Sequence, residues 1–283
     1  MADKKLDKYY FKTIMKRKVF TIALAALTIG LMGSCSKENP QHKLPEGALP
    51  GEFSVSATRK VHFSKGNLVA TIDASGAPTA WMFAAKQYDY LGEDEANQTI
   101  GSVAGDVDLF GWSTDAISNN WGIHTKTEIT DGVTDGNFND WGKNIGDGKT
   151  WRTLSNEEWQ YLFDARTNAS DLYKFGVTVC GKTNCLVIAP DNWDTTANPL
   201  QESYDESAWA TAETEGLVCL PAAGYRKGLF LFAVDNIGNY WSSSPCYDDY
   251  AYCVCFLPDI FYYTDENDTR ELGESVRLIT ECQ

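Results

Sequence analysis

The segment Gly238-Asn239-Tyr240-Trp241-Ser242-Ser243-Ser244 carries the strongest information about the fold. Because side chains alternate between the two faces of a β-strand, a strand here places the large Trp241 ring on one face, where we expect it to fill the core. The three serines have short hydroxyl side chains that can hydrogen-bond the backbone where a strand ends. The segment therefore predicts a core strand anchored by Trp241.

Two arginines lie in apolar segments on either side of this strand. Arg226 ends the run Leu220-Pro221-Ala222-Ala223-Gly224-Tyr225-Arg226, and Arg277 is the centre of Ser275-Val276-Arg277-Leu278-Ile279. A buried guanidinium is costly unless a carboxylate or carbonyl group hydrogen-bonds it. Both segments are therefore interpreted as scaffold. The other large side chains assigned to the scaffold are Trp151, Trp159, Trp209 and Tyr225.

Two helices are predicted. The first opens with a capping box, in which Ser155 accepts from the amide three residues on and Glu158 reaches back to Ser155, and it ends near Arg166. The second starts near residue 203 or 205, carries Trp209 and stops at Gly216.

Short strands are predicted for most of the remaining chain. The apolar runs are short, and residues rich in Gly, Asn and Asp separate them. Between about residues 92 and 148 the pattern indicates a long loop packed by its own aromatic side chains; it contains Asp108-Leu109-Phe110-Gly111-Trp112. Two helices beside antiparallel strands predict an α+β domain. The predicted strands are 61–64, 81–83, 175–180, 185–189, 217–220, 240–243, 251–256 and 275–279.

Four segments in order carry a resemblance to a known family. They are residues 150–155, 220–226, 238–244 and 275–279. This order resembles the Fibrobacter succinogenes major paralogous domain family and the related variable proteins of diversity-generating retroelements. The resemblance covers the chain from about Leu154 to its end, and more faintly the region from Val61. It implies a C-type-lectin-like fold, close to that of formylglycine-generating enzymes.

The stretch between Ser244 and Gly273 is rich in Tyr, Asp, Cys, Phe, Ile, Asn and Thr. Most of these residue types arise when adenines are replaced in the first two positions of an Asn codon, which is what such retroelements do to their target proteins. We therefore hypothesise a diversified ligand-binding face at about residues 246–268; a Tyr-rich strand pair with acidic loops is the simpler alternative. Tyrosine suits this role because it offers large, rigid contact area with a polar tip. The residues assigned to the face are Tyr247, Asp248, Asp249, Tyr250, Tyr252, Cys253, Cys255, Asp259, Tyr262, Tyr263, Asp265 and Asn267.

The cysteines of this face follow from the alternation of a strand. In Tyr252-Cys253-Val254-Cys255-Phe256, Cys253 and Cys255 share one face and Val254 points to the other. If Val254 packs inward, both cysteines point to solvent, and that is the arrangement we expect.

The N-terminus is typical of a secretion signal. A basic Lys16-Arg17-Lys18 precedes an apolar run over residues 19–32, which is short for a transmembrane helix, although a membrane anchor is the alternative. Met32-Gly33-Ser34-Cys35 resembles the lipobox of bacterial lipoproteins, with Leu31 one place further from the cysteine than usual. The resemblance implies cleavage before Cys35 and its acylation.

This signal divides the chain into three predicted parts. Residues 1–34 are predicted to be the signal peptide, with Met15 as a candidate true start, and residues 35–52 a lipid-anchored tether without a core pattern. Residues 53–283 are predicted to be the C-type-lectin-like domain. We expect an exported protein that is held at the outer membrane or cell surface by lipid on Cys35.

The net charge of the chain disfavours one class of partner, and its cysteines bear on disulfides and zinc. The chain has 39 acidic against 24 basic residues, and a net charge of −15 disfavours nucleic acid. Seven cysteines follow Cys35, an odd number that argues against a complete disulfide framework, although a cross-strand bond between Cys180 and Cys185 is an alternative. No Cys–His set has zinc-site spacing.

No catalytic residue, cofactor or metal site is predicted. Because of Cys253 and Cys255, an enzyme related to formylglycine-generating proteins is an alternative. A reactive thiol needs cationic neighbours that lower its pKa, however, and the neighbours of these cysteines are acidic. We predict instead a protein that binds an unknown protein or glycan on another cell or in the envelope. An undiversified adhesin or carbohydrate-binding component is a further alternative, and homo-oligomers are a further expectation.

Overall fold

A computed structural model describes residues 43–116, 121–123, 136–247 and 249–283 of the protein. The predicted signal peptide, Cys35 and Asp248 lie outside the described residues. No described helix has both the length and the apolar character needed to cross a membrane.

Within these residues the chain combines short strands with short helices. The strands are β1 (Phe53–Ser54), β2 (Lys60–Phe63), β3 (Leu68–Ile72), β4 (Pro78–Phe83), β5 (Gly105–Val107), β6 (Arg152–Thr153), β7 (Tyr173–Val179), β8 (Lys182–Ile188), β9 (Ser203–Tyr204), β10 (Val218–Pro221), β11 (Tyr225–Lys227), β12 (Phe230–Phe232), β13 (Gly238–Pro245), β14 (Tyr250–Phe256), β15 (Phe261–Tyr262), β16 (Asn267–Thr269) and β17 (Leu278–Glu281). The α-helices are α1 (Glu95–Gln98), α2 (Asn156–Gln160) and α3 (Glu206–Thr214), and single 3₁₀ or π turns lie at Trp141–Asn144, Tyr161–Ala165 and Ala169–Asp171.

The described strands pair into several small sheets. Their orders are β1-β2-β17-β6, β10-β8-β7-β9, β4-β3-β5, β11-β12 and β13-β14-β15, with β16 also paired to β14. The described strand pairings are antiparallel apart from β7 with β9. Helices beside several antiparallel sheets make this an α+β structure, which confirms the predicted class.

Strands β13 and β14 lie between two hydrophobic cores. Tyr240 and Val254 are partners across the two strands and pack in the first core, whereas Trp241 and its partner Cys253 pack in the second. Trp241 is 1% exposed, and its indole Nε1 donates to the carbonyl oxygen of Phe110 at 2.6 Å. The prediction that Trp241 fills the core is confirmed.

Local rules account for the helix that packs on the first core. The amide of Glu158 donates to the Ser155 hydroxyl at 3.3 Å, and the Ser155 amide donates to the Glu158 carboxylate at 2.9 Å, so the capping box is present. Arg152 and Arg59 each donate to Glu158 at 2.6 Å. After α2 a π turn ends at Ala165 and is capped by Arg166, which confirms the predicted end near Arg166.

The two scaffold arginines are buried and find carbonyl partners. Arg226 is fully buried, and its Nη1 donates to the Gly228 carbonyl at 2.7 Å. Arg277 is 1% exposed, and its Nη2 donates to the Cys219 carbonyl and, at 3.3 Å, to the Gln87 side chain. Carbonyl groups thus offset part of the desolvation of both cations.

The folded domain begins earlier than predicted. Leu49 is buried, and its amide donates to the Phe63 carbonyl at 2.8 Å. Gly51 is also buried against Gly216, where an added Cβ would meet the Gly216 oxygen at 2.4 Å. Residues 43–52 therefore belong to the domain and are not a tether. The sequence did not predict this, because Leu49 is surrounded by Pro, Gly and Glu and forms no apolar pattern.

The turn between β7 and β8 differs from the predicted one. Cys180 and Gly181 both have positive φ and form the turn themselves, and Cys185 lies opposite Val177. The thiols of Cys180 and Cys185 are both free, so the alternative of a disulfide between them is wrong. The register places the second cysteine too far along β8 to face the first.

A buried carboxyl in the predicted loop region gives a pH-dependent prediction. Asp108 is 2% exposed, its Oδ2 accepts from the Leu91 amide at 2.7 Å, and burial raises its pKa to about 6. The folded state therefore holds this proton more tightly than the unfolded chain does, and stability is lost as the pH rises from about 4 to about 6. A shift of two units corresponds to at most about 3 kcal/mol.

We expect Asp108→Asn to remove this part of the pH dependence, because an amide does not ionise. Urea unfolding of wild type and variant between about pH 4 and pH 7 gives the free energy of unfolding of each. The difference between the two proteins removes the contribution of the other buried carboxyls. Parallel curves for wild type and variant would contradict the raised pKa.

Candidate functional site

The predicted binding face lies on β14 and its two partner strands. Tyr250 and Tyr252 of β14 lie opposite Thr269 and Asn267 of β16. Further along β14, Cys255 lies opposite Tyr262 of β15. Because paired residues of antiparallel strands share a face, this register decides which predicted residues can act together.

Five of the predicted residues form one surface, which we term the tyrosine patch: Tyr247, Tyr250, Tyr252, Asp265 and Asn267. The Tyr247 side chain is 71% exposed, and its ring centroid lies 6.5 Å from that of Tyr250 in an edge-to-face arrangement. A hydrogen bond with the Cys246 thiol raises the pKa of Tyr252, with smaller contributions from burial and from the nearby Tyr247 and Asp265. These contacts place aromatic and acidic groups side by side on the surface.

A buried arginine, missed in the sequence, positions the loop that carries Tyr247. Arg270 is 4% exposed; its Nε donates to the Tyr250 carbonyl at 2.9 Å and its Nη2 to the Tyr247 carbonyl at 3.1 Å. The guanidinium also lies 4.3 Å from the centre of the Trp112 ring. These bonds hold the backbone at Tyr247 and at Tyr250, because charged donors bind carbonyls more strongly than neutral ones.

Four other predicted residues lie apart from the tyrosine patch or beside it. Tyr262 is 45% exposed, but its partner Cys255 places it on the opposite face of the sheet. Tyr263 packs against the Phe163 ring at 5.6 Å and is partly buried. Asp259 is exposed in the turn after β14, and Asp249 is exposed next to the patch.

The predicted exposure of the two strand cysteines is wrong. Cys253 is 1% exposed and Cys255 is 8% exposed, while Val254 is also buried on the other face. Alternation correctly places the two thiols on one face, but that face packs on the second core instead of meeting solvent. Cys253 and Cys255 therefore do not belong to the binding surface.

Buried acidic groups surround these thiols. Glu274 is fully buried and Asp268 is half-buried, and the Asn239 side-chain Nδ2 lies 3.4 Å from Glu274 Oε1 and 3.3 Å from Asp268 Oδ2. Burial, followed by the Asp268 carboxyl, raises the pKa of Glu274 well above its usual range. Burial, with nearby carboxyls, also raises the pKa of the Cys255 thiol to about 12.

A second exposed apolar surface lies on the β11–β12 hairpin. Leu229, Phe230 and Phe232 are 49%, 70% and 42% exposed. The Phe232 ring stacks on Tyr225 at 5.3 Å, which holds one side of the hairpin in place. This surface was not predicted, because the apolar run Leu229-Phe230-Leu231-Phe232 does not by itself show which of its side chains stay exposed.

Comparison of the chain with known protein families, curated proteins and solved structures found no match.

Proposed function

We propose that this protein is an exported binding protein, anchored by lipid on Cys35 at the outer membrane or cell surface. The tyrosine patch contacts a protein or glycan of another cell or of the envelope. The domain that carries it is C-type-lectin-like, as the four scaffold segments imply. The N-terminal pattern supports export, and the acidic balance of the chain favours neutral or cationic partners over nucleic acid.

The observation that carries this proposal is the exposed Tyr247 ring, whose backbone carbonyl accepts a hydrogen bond from a buried arginine. Tyr247 is the most exposed large aromatic of the described chain, yet its backbone carbonyl is held by the buried Arg270. An ordered aromatic surface loses little conformational freedom on binding and gains apolar contact with hydrogen bonding at the phenol. Such surfaces mark interaction sites more often than isolated exposed residues do.

Burial limits how far diversification could extend. Ala251, Cys253 and Val254 fill two cores, so random replacement there would unfold the domain. A diversified protein would therefore vary at the tyrosine patch and not throughout residues 246–268. A reverse transcriptase gene and an adenine-rich repeat near the coding sequence would support diversification, and their absence would favour an undiversified adhesin.

The electrostatics of the two thiols favour binding over cysteine chemistry. A nucleophilic cysteine needs a lowered pKa. Burial first, and then Glu274 and Asp268, raise the pKa of the Cys253 thiol well above its usual range. A thiol in this environment stays protonated at neutral pH, which weighs against an enzyme of the formylglycine-generating type.

Loss of the patch tyrosines tests the proposal. We expect the triple variant Tyr247→Ala, Tyr250→Ala, Tyr252→Ala to bind intact cells at least about tenfold less than wild type, because tyrosines contribute strongly to interfaces. The measurement is binding of the labelled full-length protein to cells. Treatment of the cells with protease or with periodate distinguishes a protein partner from a glycan.

The matched control is the double variant Leu229→Ala, Phe230→Ala, which removes exposed apolar area from the other surface and leaves the stack of Phe232 on Tyr225 in place. It should bind as wild type does, and all proteins should share one unfolding midpoint. Equal binding by the triple variant, or loss only in the hairpin variant, would refute the proposed site.

A further inference from the structure

Three potential metal ligands meet beneath the sheet that carries the tyrosine patch. One ligand atom from each of Cys253, Asp268 and Glu274 lies within 4.8 Å of the other two. Cys253 belongs to β14 and Asp268 to β16, while Glu274 is fixed by backbone bonds to Phe110 of 3.0 and 2.9 Å. The three side chains therefore come from separate segments that tertiary pairing holds in place.

Two buried oxygen atoms in this cluster or next to it accept no hydrogen bond from an N–H or O–H donor of the described residues. They are Oε2 of the fully buried Glu274 and Oδ1 of Asn239, which is 4% exposed. Buried polar atoms are normally satisfied, so both need an explanation. The two contacts of the Asn239 amide nitrogen, at 3.3 and 3.4 Å, are long, and exchange of its nitrogen and oxygen would turn Oδ1 toward the same centre.

The charges of the cluster point to a cation. The acidic side chains of Asp268 and Glu274 converge on one point, because their carboxyl oxygens lie 3.3 and 3.4 Å from the same Asn239 amide nitrogen. A divalent ion that displaced their protons would largely neutralise the three negative charges of two carboxylates and a thiolate in this buried space. The simpler alternative is a proton shared between Asp268 and Glu274.

We propose that Cys253, Asp268 and Glu274 bind one zinc-like divalent cation, with the fourth position open to Asn239 Oδ1 or water. The sulfur ligand excludes calcium and magnesium, which prefer oxygen throughout, whereas zinc accepts sulfur and carboxylate oxygen together. Tetrahedral zinc places its ligand atoms about 3.3–3.7 Å apart, so small side-chain movements would close the site. Asp268 is only half-buried, which gives the ion a route from solvent.

The bound ion would cross-link the sheet behind the tyrosine patch. Asp268 lies opposite Ala251, and the next pair along the strands is Asn267 with Tyr252. A metal that joins β14, β16 and the segment of Glu274 would hold the strands that carry Tyr252. This role does not depend on what the tyrosine patch binds.

The test uses the full-length protein, stripped with chelator and exposed to zinc or cobalt in metal-free buffer. We expect one tightly held equivalent of zinc after gel filtration, by elemental mass spectrometry. Cobalt should produce a near-ultraviolet thiolate-to-metal charge-transfer band. Cys253→Ser and Glu274→Gln should each lower zinc retention at least about tenfold, and the former should abolish the band.

Two control variants make the test specific. Cys255→Ser removes the neighbouring thiol on the same face and should keep both signals. His62→Asn tests the other cluster of potential ligands, Glu52, His62 and Cys282, where the Lys60 ammonium already lies 3.5 Å from the Glu52 carboxylate. A wild-type protein that holds no zinc and shows no cobalt band, or signals lost only in His62→Asn, would overturn the proposal, as would unchanged retention in Glu274→Gln.

Discussion

Trp241→Ala is expected to lower the free energy of unfolding by about 4 kcal/mol, the usual cost of deleting a buried tryptophan. The ring is 1% exposed in the second core, and the strand that carries it also contributes Tyr240 to the first core. The variant leaves a cavity and removes the donor to the Phe110 carbonyl. Urea unfolding at neutral pH measures the loss as a lower midpoint with an unchanged slope.

Two further variants separate the causes of this loss. Trp241→Phe keeps most of the ring volume but not the hydrogen bond, so it should cost about 1–3 kcal/mol. Phe230→Ala removes a ring that is 70% exposed and should change stability by less than about 0.5 kcal/mol. If Trp241→Ala cost no more than Phe230→Ala, the two-core arrangement around β13 would be wrong.

Features that depend on neighbouring residues were predictable from the sequence. The capping box of Ser155 and Glu158 acts over three residues, and the structure places both hydrogen bonds where they were expected. The second helix begins after the cap Asp205 and has Gly216 just beyond its end, as predicted. Local hydrogen-bonding chemistry fixes such boundaries, so one segment is sufficient to predict them.

Features that depend on distant pairing were not predictable. Alternation in β14 indicated that Cys253 and Val254 face opposite ways, but a sequence does not state that both faces are covered. Burial of a strand on both sides requires a second core, and that core is built from side chains far away in the chain, among them Trp112 and Trp141. The assignment of the cysteines to the surface failed for this reason.

The candidate site also has features that the sequence predicted and features that it did not. Composition drew attention to residues 246–268, and the tyrosine patch lies there. Register then separated Tyr262 from Tyr252, because their partners on β14 and β16 lie on opposite faces of the sheet. Arg270 gave no signal, since its role depends on two carbonyl groups at least 20 residues away.

Gly224→Ala is expected to destabilise the domain by about 3 kcal/mol or more, as the sum of backbone strain and steric overlap. Gly224 has φ of +74°, which an L-residue adopts only at a cost. An added Cβ would also lie 2.3 Å from the Phe232 oxygen and 2.8 Å from the Val234 nitrogen, and both atoms belong to backbone. Because backbone cannot rotate away as a side chain can, the chain after β12 would have to move.

Gly181→Ala is the matched control for this prediction, because it isolates the backbone strain. Gly181 has φ of +84°, but nothing lies within 4 Å of its added Cβ, so the cost should be about 1–2 kcal/mol. The difference between the two variants, from urea unfolding, then measures the steric overlap at Gly224 alone. Equal losses would mean that the approach of Phe232 to Gly224 is looser than described. A larger loss at Gly224 would explain the glycine in the scaffold segment 220–226 by close packing in addition to its turn conformation.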